Sequence, residues 1–186
     1  MPADDDSCDD ESIIAVVSKV QGFIEDYGIP RNLEDANAFI PQTDAESIAL
    51  LDMRVFNMDR HPGNLLLLKK AKPHGLGPID HGCCLPPWWC LGEAIFEAWI
   101  AWPQLQTTPS ADACSLARTA YMKLPQTCKK LAEAELDASA VVTLRLCTTL
   151  VYIGVAEMGI PIGKLAATAS NPSECWLQVA QGTQSP

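Results

Sequence analysis

The sequence predicts a mainly helical α+β fold in one domain, and three observations lead to this prediction. The chain has 186 residues with 48% hydrophobic content, which is enough to bury one core but short for two. Helical patterns fill most of the C-terminal half. A short apolar run and a turn-rich segment, between Leu65 and Asp80, predict a β-hairpin in front of those helices.

The acidic N-terminus predicts a disordered tail. The chain has a net charge of -10, and one short run contains Asp4, Asp5, Asp6, Asp9, Asp10 and Glu11. Such a run cannot bury enough apolar surface to fold. We therefore expect disordered tails at residues 1–12 and 177–186, and one domain over residues 13–176.

Charge and N-terminal composition narrow the partners and the compartment. Without the acidic run the rest of the chain carries only about -4 and offers no basic face for nucleic acid. DNA and RNA are therefore not expected partners. The opening residues, MPADDDSCDDES, lack the positive flank and apolar core of a signal peptide, which predicts a cytoplasmic protein.

Two segments of the N-terminal half predict helices. From Ile13 to Ile24, apolar residues recur at helical spacing, although the β-branched side chains leave a strand open for the first half. In TDAESIALLDMRVF, Thr43 and Glu46 have the spacing of a capping box, which predicts a helix from about Asp44 to Phe56. That helix would deliver Asp59 to a loop.

The predicted hairpin lies in the middle of the chain. The run LLLL at Leu65–Leu68 is followed by the turn-rich KKAKPHGLG and then by PID at Pro78–Asp80, which predicts a strand, a turn and a second strand. His74, in the basic turn, is expected to be solvated. The hairpin would bring Asp59 and Asp80 together in space.

Helices are predicted through the C-terminal half. Ser110, Pro125 and Ala138 are expected to open helices, and GIPIGKL to break and restart the last one. The segment Ala138–Ala156 approaches membrane-spanning length, but Arg145 lies in its middle. We therefore expect a buried core helix and no transmembrane segment.

The eight cysteines are scattered and form no C-x-x-C pair. In a chain of this length, that predicts reduced and mostly buried thiols. A zinc site built from Cys83, Cys84, Cys90 and His81 is an open alternative, although the spacing lacks the usual paired form.

The segment from Asn57 to Gly82 holds all three histidines of the chain. Asp59 and Asn64 have the D-x-x-x-x-N spacing of a kinase catalytic loop. Asp80, two residues before Gly82, matches the D-x-G whose carboxylate holds magnesium on nucleotide phosphates. Magnesium takes few protein oxygens besides phosphate oxygens, so one amide and one carboxylate are a sufficient protein contribution.

These motifs carry a resemblance to a known family. DRHPGN together with PIDHG resembles the phosphatidylinositol 3-/4-kinase catalytic domain. LLDMRVFNMDRHPGNLL, PIDHGCCLP and FEAWIAWPQ are similar to the plant-type gamma phosphatidylinositol 4-kinases, and the similarity runs from about Lys19 to Trp176. The resemblance implies a protein-kinase-like C-terminal lobe with a catalytic-loop β-hairpin. It also implies ATP-dependent phosphorylation of phosphatidylinositol, at the 4-hydroxyl, with the enzyme peripheral to a membrane surface.

The resemblance also implies roles for single residues. Asp59 would orient or deprotonate the inositol hydroxyl, and Asn64 and Asp80 would bind the magnesium of Mg-ATP. His61 is a second candidate base, since a neutral imidazole accepts a proton near physiological pH. Arg60 would either stabilise phosphate charge or brace the loop against a carboxylate, and we favour bracing.

The sequence departs from a complete kinase in one respect. A kinase needs a glycine-rich loop and a strand lysine upstream of the catalytic loop. Before Asp59 the chain has only Lys19, Gly22 and Gly28 as lysines and glycines, so an N-terminal lobe is expected to be missing. We therefore expect a truncated lipid kinase with weak or no activity alone. Pro62 is expected to stiffen the loop.

Two other interpretations stay open. The chain could be a non-catalytic, pseudokinase-like binding module. It could be a metal-dependent phosphohydrolase, with Asp59, His61, Asp80 and His81 as ligands of a metal pair. A further interpretation, that these polar residues merely satisfy one another inside a helical domain, is disfavoured by the combined spacing of the motifs. Metal binding without nucleotide would favour the hydrolase, and metal binding only with ATP would favour the kinase.

The tryptophans divide into two groups. Trp99, Trp102 and Trp176 are expected to pack in the core. For Trp88 and Trp89, core packing and contact with lipid or the inositol ring are equally open.

Overall fold

The computed structural model describes residues 17–19, 32–68, 73–93 and 96–170. Within these ranges an antiparallel sheet contains the strands β1 (Val17–Lys19), β2 (Leu65–Leu68) and β3 (Gly75–Pro78). The helices are α1 (Leu33–Phe39), α2 (Gln42–Val55), α3 (Glu97–Ile100), α4 (Ala111–Met122), α5 (Leu124–Glu133), α6 (Ala138–Val151) and α7 (Ile162–Ser170). The prediction of a mainly helical α+β fold is confirmed.

The strands pair in the order β1-β2-β3, with Val17 opposite Leu68 and Leu65 opposite Pro78. The predicted hairpin is confirmed, but its second strand lies earlier in the sequence than the predicted Pro78–Asp80. It ends at Pro78 because Asp80 has a φ of 55°, which is incompatible with extended backbone. For β1 the strand interpretation is correct and the helical one is wrong, while the rest of residues 13–31 lies outside the described residues.

Helix α2 forms the central element of the core. It buries Ala45, Ile48, Ala49, Leu50 and Met53. The predicted capping box is wrong, because α2 begins after Pro41 and its N-terminus has no side-chain cap.

Glu46, the proposed partner of that box, is buried and accepts a hydrogen bond from the backbone nitrogen of Ser110 at 3.0 Å and another from its hydroxyl. The carboxylate therefore stabilises the start of α4, where Ser110 is the N-cap and accepts from the Ala113 nitrogen. Glu46 thus makes a long-range contact with Ser110 instead of capping α2 locally.

The other predicted helix starts agree with the structure. Pro125 lies in the first turn of α5, and α6 begins at Ala138 after the capping residue Asp137. Gly159 has a φ of 64°, a conformation natural for glycine, and it separates α7 from the helical stretch before it. The predicted break and restart is therefore confirmed.

One helical stretch of the described chain, Ala138–Glu157, is long and apolar enough to cross a membrane by length and composition alone. It consists of α6 and the π-helical turn Tyr152–Glu157. Leu144, Cys147 and Val151 on one face of α6 are buried, and α6 packs against α2, α4 and α5. This face belongs to the core, as expected for a core helix.

The core also contains two of the tryptophans. Trp99 and Trp102 are buried and pack edge to face, with ring centroids 5.5 Å apart, so their predicted core positions are confirmed. Trp176 lies outside the described residues, as do both predicted tails.

Candidate active site

The catalytic loop begins where α2 ends. Phe56 closes the helix in the left-handed conformation, with a φ of 47°, and its buried ring packs edge to face on Phe96 at 5.5 Å. This conformation is costly for a residue with a side chain, and burial of the ring compensates it. The chain then turns sharply into Asn57, whose side-chain oxygen accepts a hydrogen bond from the Asp59 nitrogen at 3.1 Å.

The next residues form a tight turn that holds Asp59 and Asn64 together. His61 caps the 3-10 turn Pro62–Asn64, and its Nδ1 accepts from the Gly63 nitrogen at 3.1 Å. Pro62 stands at the first position of this turn, where its fixed φ suits the geometry. Asn64 Nδ2 donates to the Asp59 carbonyl at 3.0 Å and lies 3.5 Å from Asp59 Oδ2.

Asp80 follows β3, and the residue before it contacts the catalytic loop. The Ile79 nitrogen donates to the Asn64 carbonyl at 3.0 Å, so Asp80 is one residue away from a direct contact with the catalytic loop. Its left-handed backbone is tolerated by aspartate better than by most residues, and its Oδ1 accepts from the Gly82 nitrogen at 3.3 Å. Asp59 and Asp80 are both exposed at the surface.

The segment after Asp80 is fixed against the catalytic loop by backbone hydrogen bonds. The Met58 nitrogen donates to the Cys83 carbonyl at 3.1 Å, and the Leu85 nitrogen donates to the Val55 carbonyl at 2.7 Å. The backbones of the two motifs therefore lie side by side and belong to one unit of the fold.

Arg60 connects the two motifs through hydrogen bonds of its buried side chain. Its side chain is buried and pairs with Asp52, with Nε 2.8 Å from Oδ2. Its Nη1 donates to the carbonyls of Asn64 at 2.6 Å and Ile79 at 2.7 Å. Breaking such a buried pair costs about 3–5 kcal/mol because it leaves an unpaired charge, so this geometry assigns Arg60 to bracing the loop and not to a phosphate.

The three histidines occupy different surroundings. His61 is exposed and caps the turn described above. His81 is also exposed, and its Nε2 lies 3.4 Å from Arg60 Nη2. His74 is half-buried and so only partly solvated: its ring packs edge to face on Phe39 at 5.2 Å, and its backbone nitrogen donates to the Phe39 carbonyl at 2.7 Å.

The described cysteines are free thiols. Burial, with a smaller contribution from the Asp52 charge, raises the pKa of the Cys84 thiol to about 11, so this thiol beside the loop stays protonated near neutral pH. Among the described residues, no group of three or more His, Cys, Asp or Glu side chains is arranged to hold a metal ion. This arrangement supports neither the zinc site nor the hydrolytic metal pair.

Sequence reasoning missed the carboxylate that pairs with Arg60. Asp52 is fully buried, and it lies on α2 between apolar residues of LLDM. An acidic residue inside the apolar stripe of a predicted helix was the available signal, because such a residue needs a partner.

Comparison with known proteins agrees with the motifs. A family model described as phosphatidylinositol 3- and 4-kinase matches residues 12–104, half of the chain, and includes the whole site described above. Phosphatidylinositol 4-kinase gamma 4 of Arabidopsis thaliana is 33% identical over 146 residues, which cover 77% of this chain and 25% of the relative.

Two further relatives match shorter segments more closely. Phosphatidylinositol 4-kinase gamma 4 of Oryza sativa subsp. japonica is 39% identical over 89 residues, with 47% of this chain and 15% of the relative covered. Phosphatidylinositol 4-kinase gamma 1 of Arabidopsis thaliana is 46% identical over 70 residues, which cover 33% of this chain and 12% of the relative. The chain thus spans about a quarter or less of these relatives. It belongs to the phosphatidylinositol 3- and 4-kinase family.

Proposed function

We propose that this chain is the C-terminal, catalytic-loop portion of a lipid kinase that transfers the γ-phosphoryl group of ATP to phosphatidylinositol. The observation that supports the proposal is that the segments carrying Asp59, Asn64 and Asp80 are hydrogen-bonded to one another. Asn64 contacts Asp59 directly, and the Ile79 nitrogen bonds the Asn64 carbonyl. Family membership supports phosphoryl transfer as the chemistry of this arrangement.

Asp59 is the residue that acts on the substrate hydroxyl. Its carboxylate is exposed, while its backbone is fixed by Asn57 and Asn64. A carboxylate held in this way can accept a hydrogen bond from the attacking hydroxyl and orient it towards the phosphorus atom. It takes up the proton as the new bond from the hydroxyl oxygen to the γ-phosphorus forms, while the bond from that phosphorus to the bridging oxygen breaks and ADP leaves.

The donor set of the site fits magnesium. Because Asn64 Nδ2 donates to the Asp59 carbonyl, the other side-chain atom of Asn64 is an amide oxygen, and Asp80 adds an exposed carboxylate. Hard oxygen ligands of this kind are those that magnesium prefers, with nucleotide phosphates completing the coordination. When bound with ATP, magnesium neutralises charge on the phosphate oxygens. Asn64 and Asp80 would hold it.

The names of the relatives and two exposed tryptophans indicate the lipid substrate and the membrane surface. The relatives are named phosphatidylinositol 4-kinases, which favours the inositol 4-hydroxyl as the acceptor. Trp88 is 50% exposed and Trp89 is 64% exposed, with their rings packed edge to face. Exposed tryptophans suit the interface between water and lipid, so we assign the pair to contact with the membrane, from the cytoplasmic side.

These 186 residues contain no glycine-rich loop or second lysine upstream of Asp59. Nucleotide held from one side should bind weakly and be turned over slowly. The purified polypeptide is therefore expected to phosphorylate phosphatidylinositol vesicles slowly or not at all, and robust turnover would contradict this part of the proposal.

The direct test measures magnesium-dependent ATP binding by nuclear magnetic resonance, as the ATP concentration is increased. ATP with magnesium should shift the signals of residues near Asn64 and Asp80, and ATP without magnesium should shift them far less. Asp80→Asn should abolish the magnesium dependence. Asp112→Asn, which removes an exposed carboxylate from α4, is the matched control and should bind like the unaltered chain.

Two results would contradict the kinase assignment. The first is tight metal binding without nucleotide, which would favour a hydrolase. The second is ATP binding that Asp80→Asn and Asp112→Asn weaken to the same extent, because this would place the nucleotide elsewhere on the protein.

A further inference from the structure

The carboxylate of Asp52 has no role in the function proposed above, yet it accepts four hydrogen bonds beside the site. Its Oδ2 accepts from Arg60 Nε at 2.8 Å and from Trp99 Nε1 at 3.0 Å. Its Oδ1 accepts from Arg60 Nη2 at 3.1 Å and from Asn57 Nδ2 at 3.1 Å. Each oxygen thus receives two hydrogen bonds, which satisfies a carboxylate that is fully buried.

Two of these donors lead directly to the proposed catalytic and metal-binding residues. Asn57 gives its side-chain nitrogen to Asp52 and uses its side-chain oxygen to hold the Asp59 nitrogen at 3.1 Å. Arg60 gives Nε and Nη2 to Asp52. With Nη1 it holds the carbonyl of Asn64, and also the carbonyl of Ile79, which precedes Asp80.

The third donor comes from a distant part of the chain. Trp99 lies in α3 and its ring is fully buried. Its indole N–H binds the same carboxylate oxygen as Arg60 Nε. The tryptophan therefore helps to hold the Asp52 carboxylate in place from a helix outside the catalytic loop.

We propose that Asp52 is the positioning residue of this site, and that it sets the places of Asp59, Asn64 and Asp80 relative to one another through Asn57 and Arg60. The proposal rests on the proposed function for its effect on nucleotide. Asp52 touches neither substrate nor nucleotide. Groups one shell away from a metal or reacting atom control its geometry, and their loss costs about tenfold to a hundredfold in affinity or rate.

The experiment compares Asp52→Asn with Glu46→Gln. Both changes turn a buried carboxylate of α2 into an amide of similar size, but Glu46 bonds Ser110 and Gln42 and does not contact the site. Asp52→Asn should accelerate hydrogen exchange of the Asp59 and Ile79 amides in the absence of any ligand. It should also weaken magnesium-dependent ATP binding by about tenfold or more.

Glu46→Gln should change neither the hydrogen exchange of those two amides nor ATP binding, even if it lowers the unfolding midpoint as much as Asp52→Asn does. This separates positioning from a general loss of stability. Because Asp52→Asn leaves the Arg60 charge buried without its partner, that variant could fail to fold.

Trp99→Phe provides the second variant, because it keeps a buried aromatic ring and removes the N–H that binds Asp52, although the smaller ring also leaves a cavity. It should shift the same two amides in the same direction, by less. Unchanged exchange at Asp59 and Ile79 in Trp99→Phe and in any folded Asp52→Asn overturns the proposal. If the unaltered chain binds no Mg-ATP, the proposed function fails, and the two amides alone decide the role of Asp52.

Discussion

His61 shows how a single hydrogen bond limits the chemistry of a residue. Its Nδ1 accepts from the Gly63 nitrogen, so in the neutral imidazole the proton lies on Nε2. The nitrogen left for a ligand is then a donor, which cannot take a proton from a hydroxyl. The exposed carboxylate of Asp59 has no such constraint, and it is therefore the better candidate for the base.

This difference predicts the effect of two substitutions. Asparagine is a good capping residue, so His61→Asn should preserve the turn and reduce the rate of lipid phosphorylation by less than about threefold. Asp59→Asn removes the base and should reduce the rate by at least about a hundredfold. The measurement is single-turnover phosphorylation of phosphatidylinositol vesicles with labelled ATP and excess protein, followed over long incubations because the unaltered chain is itself expected to react slowly. Equal losses of rate in the two variants would indicate that the His61 imidazole is catalytic.

The sequence predicted the loop and the hairpin that carry the candidate site residues better than the interactions of those residues. The spacing of Asp59, Asn64 and Asp80 follows from local motifs, and a short loop and a hairpin bring these residues together. Bracing by Arg60 was one of two open interpretations, because its partner could not be identified from spacing alone. Asp52 lies eight residues earlier, and the contact depends on the sharp turn at Phe56, which no glycine marks.

At the scale of elements, errors arose where tertiary contacts replaced local signals. Thr43 and Glu46 have the spacing of a capping box, but Glu46 instead accepts hydrogen bonds from Ser110, a residue 64 positions later. The second hairpin strand was placed at Pro78–Asp80, and β3 instead ends at Pro78. The apolar Ile79 favoured a strand there, whereas the left-handed backbone of Asp80 turns the chain into the site. The hairpin itself was predictable from its turn.

Close packing of α7 against the 3-10 turn Pro103–Gln106 predicts a steric effect at Gly163. A Cβ atom added at this buried glycine would lie 3.1 Å from the Leu105 carbonyl oxygen and against the Gln106 side chain. The backbone oxygen cannot move away without shifting the turn. Gly163→Ala should therefore destabilise the protein by about 1–3 kcal/mol, as overpacking does.

The measurement for Gly163→Ala is the urea midpoint of unfolding. Gly92→Ala is the matched control, because a Cβ atom there meets nothing within 4 Å and the residue is exposed. The control should unfold within about 0.5 kcal/mol of the unaltered chain. If the two variants unfold at the same urea concentration, α7 does not pack as closely as described.

At the scale of the whole molecule, one helical core supports the exposed site. Helix α2 contributes the centre of that core, and its C-terminal end supplies both Asp52 and the start of the catalytic loop. Trp99 and Trp102 link α3 to the same core. The geometry of the site therefore depends on the folding of the entire described domain, and general loss of stability must be separated from loss of function in every variant.

The buried thiol of Cys147 predicts how the stability of the whole domain depends on pH. Burial raises the pKa of this thiol to about 12, from an ordinary value of 9.0. The folded state therefore binds the proton more tightly than the unfolded state does. The resulting contribution to stability is complete below pH 9.0 and is lost as the pH rises towards about 12. The domain should become less stable over this range.

Two cysteine variants isolate this contribution from that of other alkaline groups. Cys147→Ala removes the thiol, so its free energy of unfolding should start lower and fall less steeply between pH 9 and pH 11. Cys83→Ala removes an exposed thiol and should fall as steeply as the unaltered chain. Urea unfolding at several pH values gives the three slopes. Equal slopes for all three would mean that Cys147 is as accessible to water in the folded protein as Cys83, and that α6 does not bury it against α2.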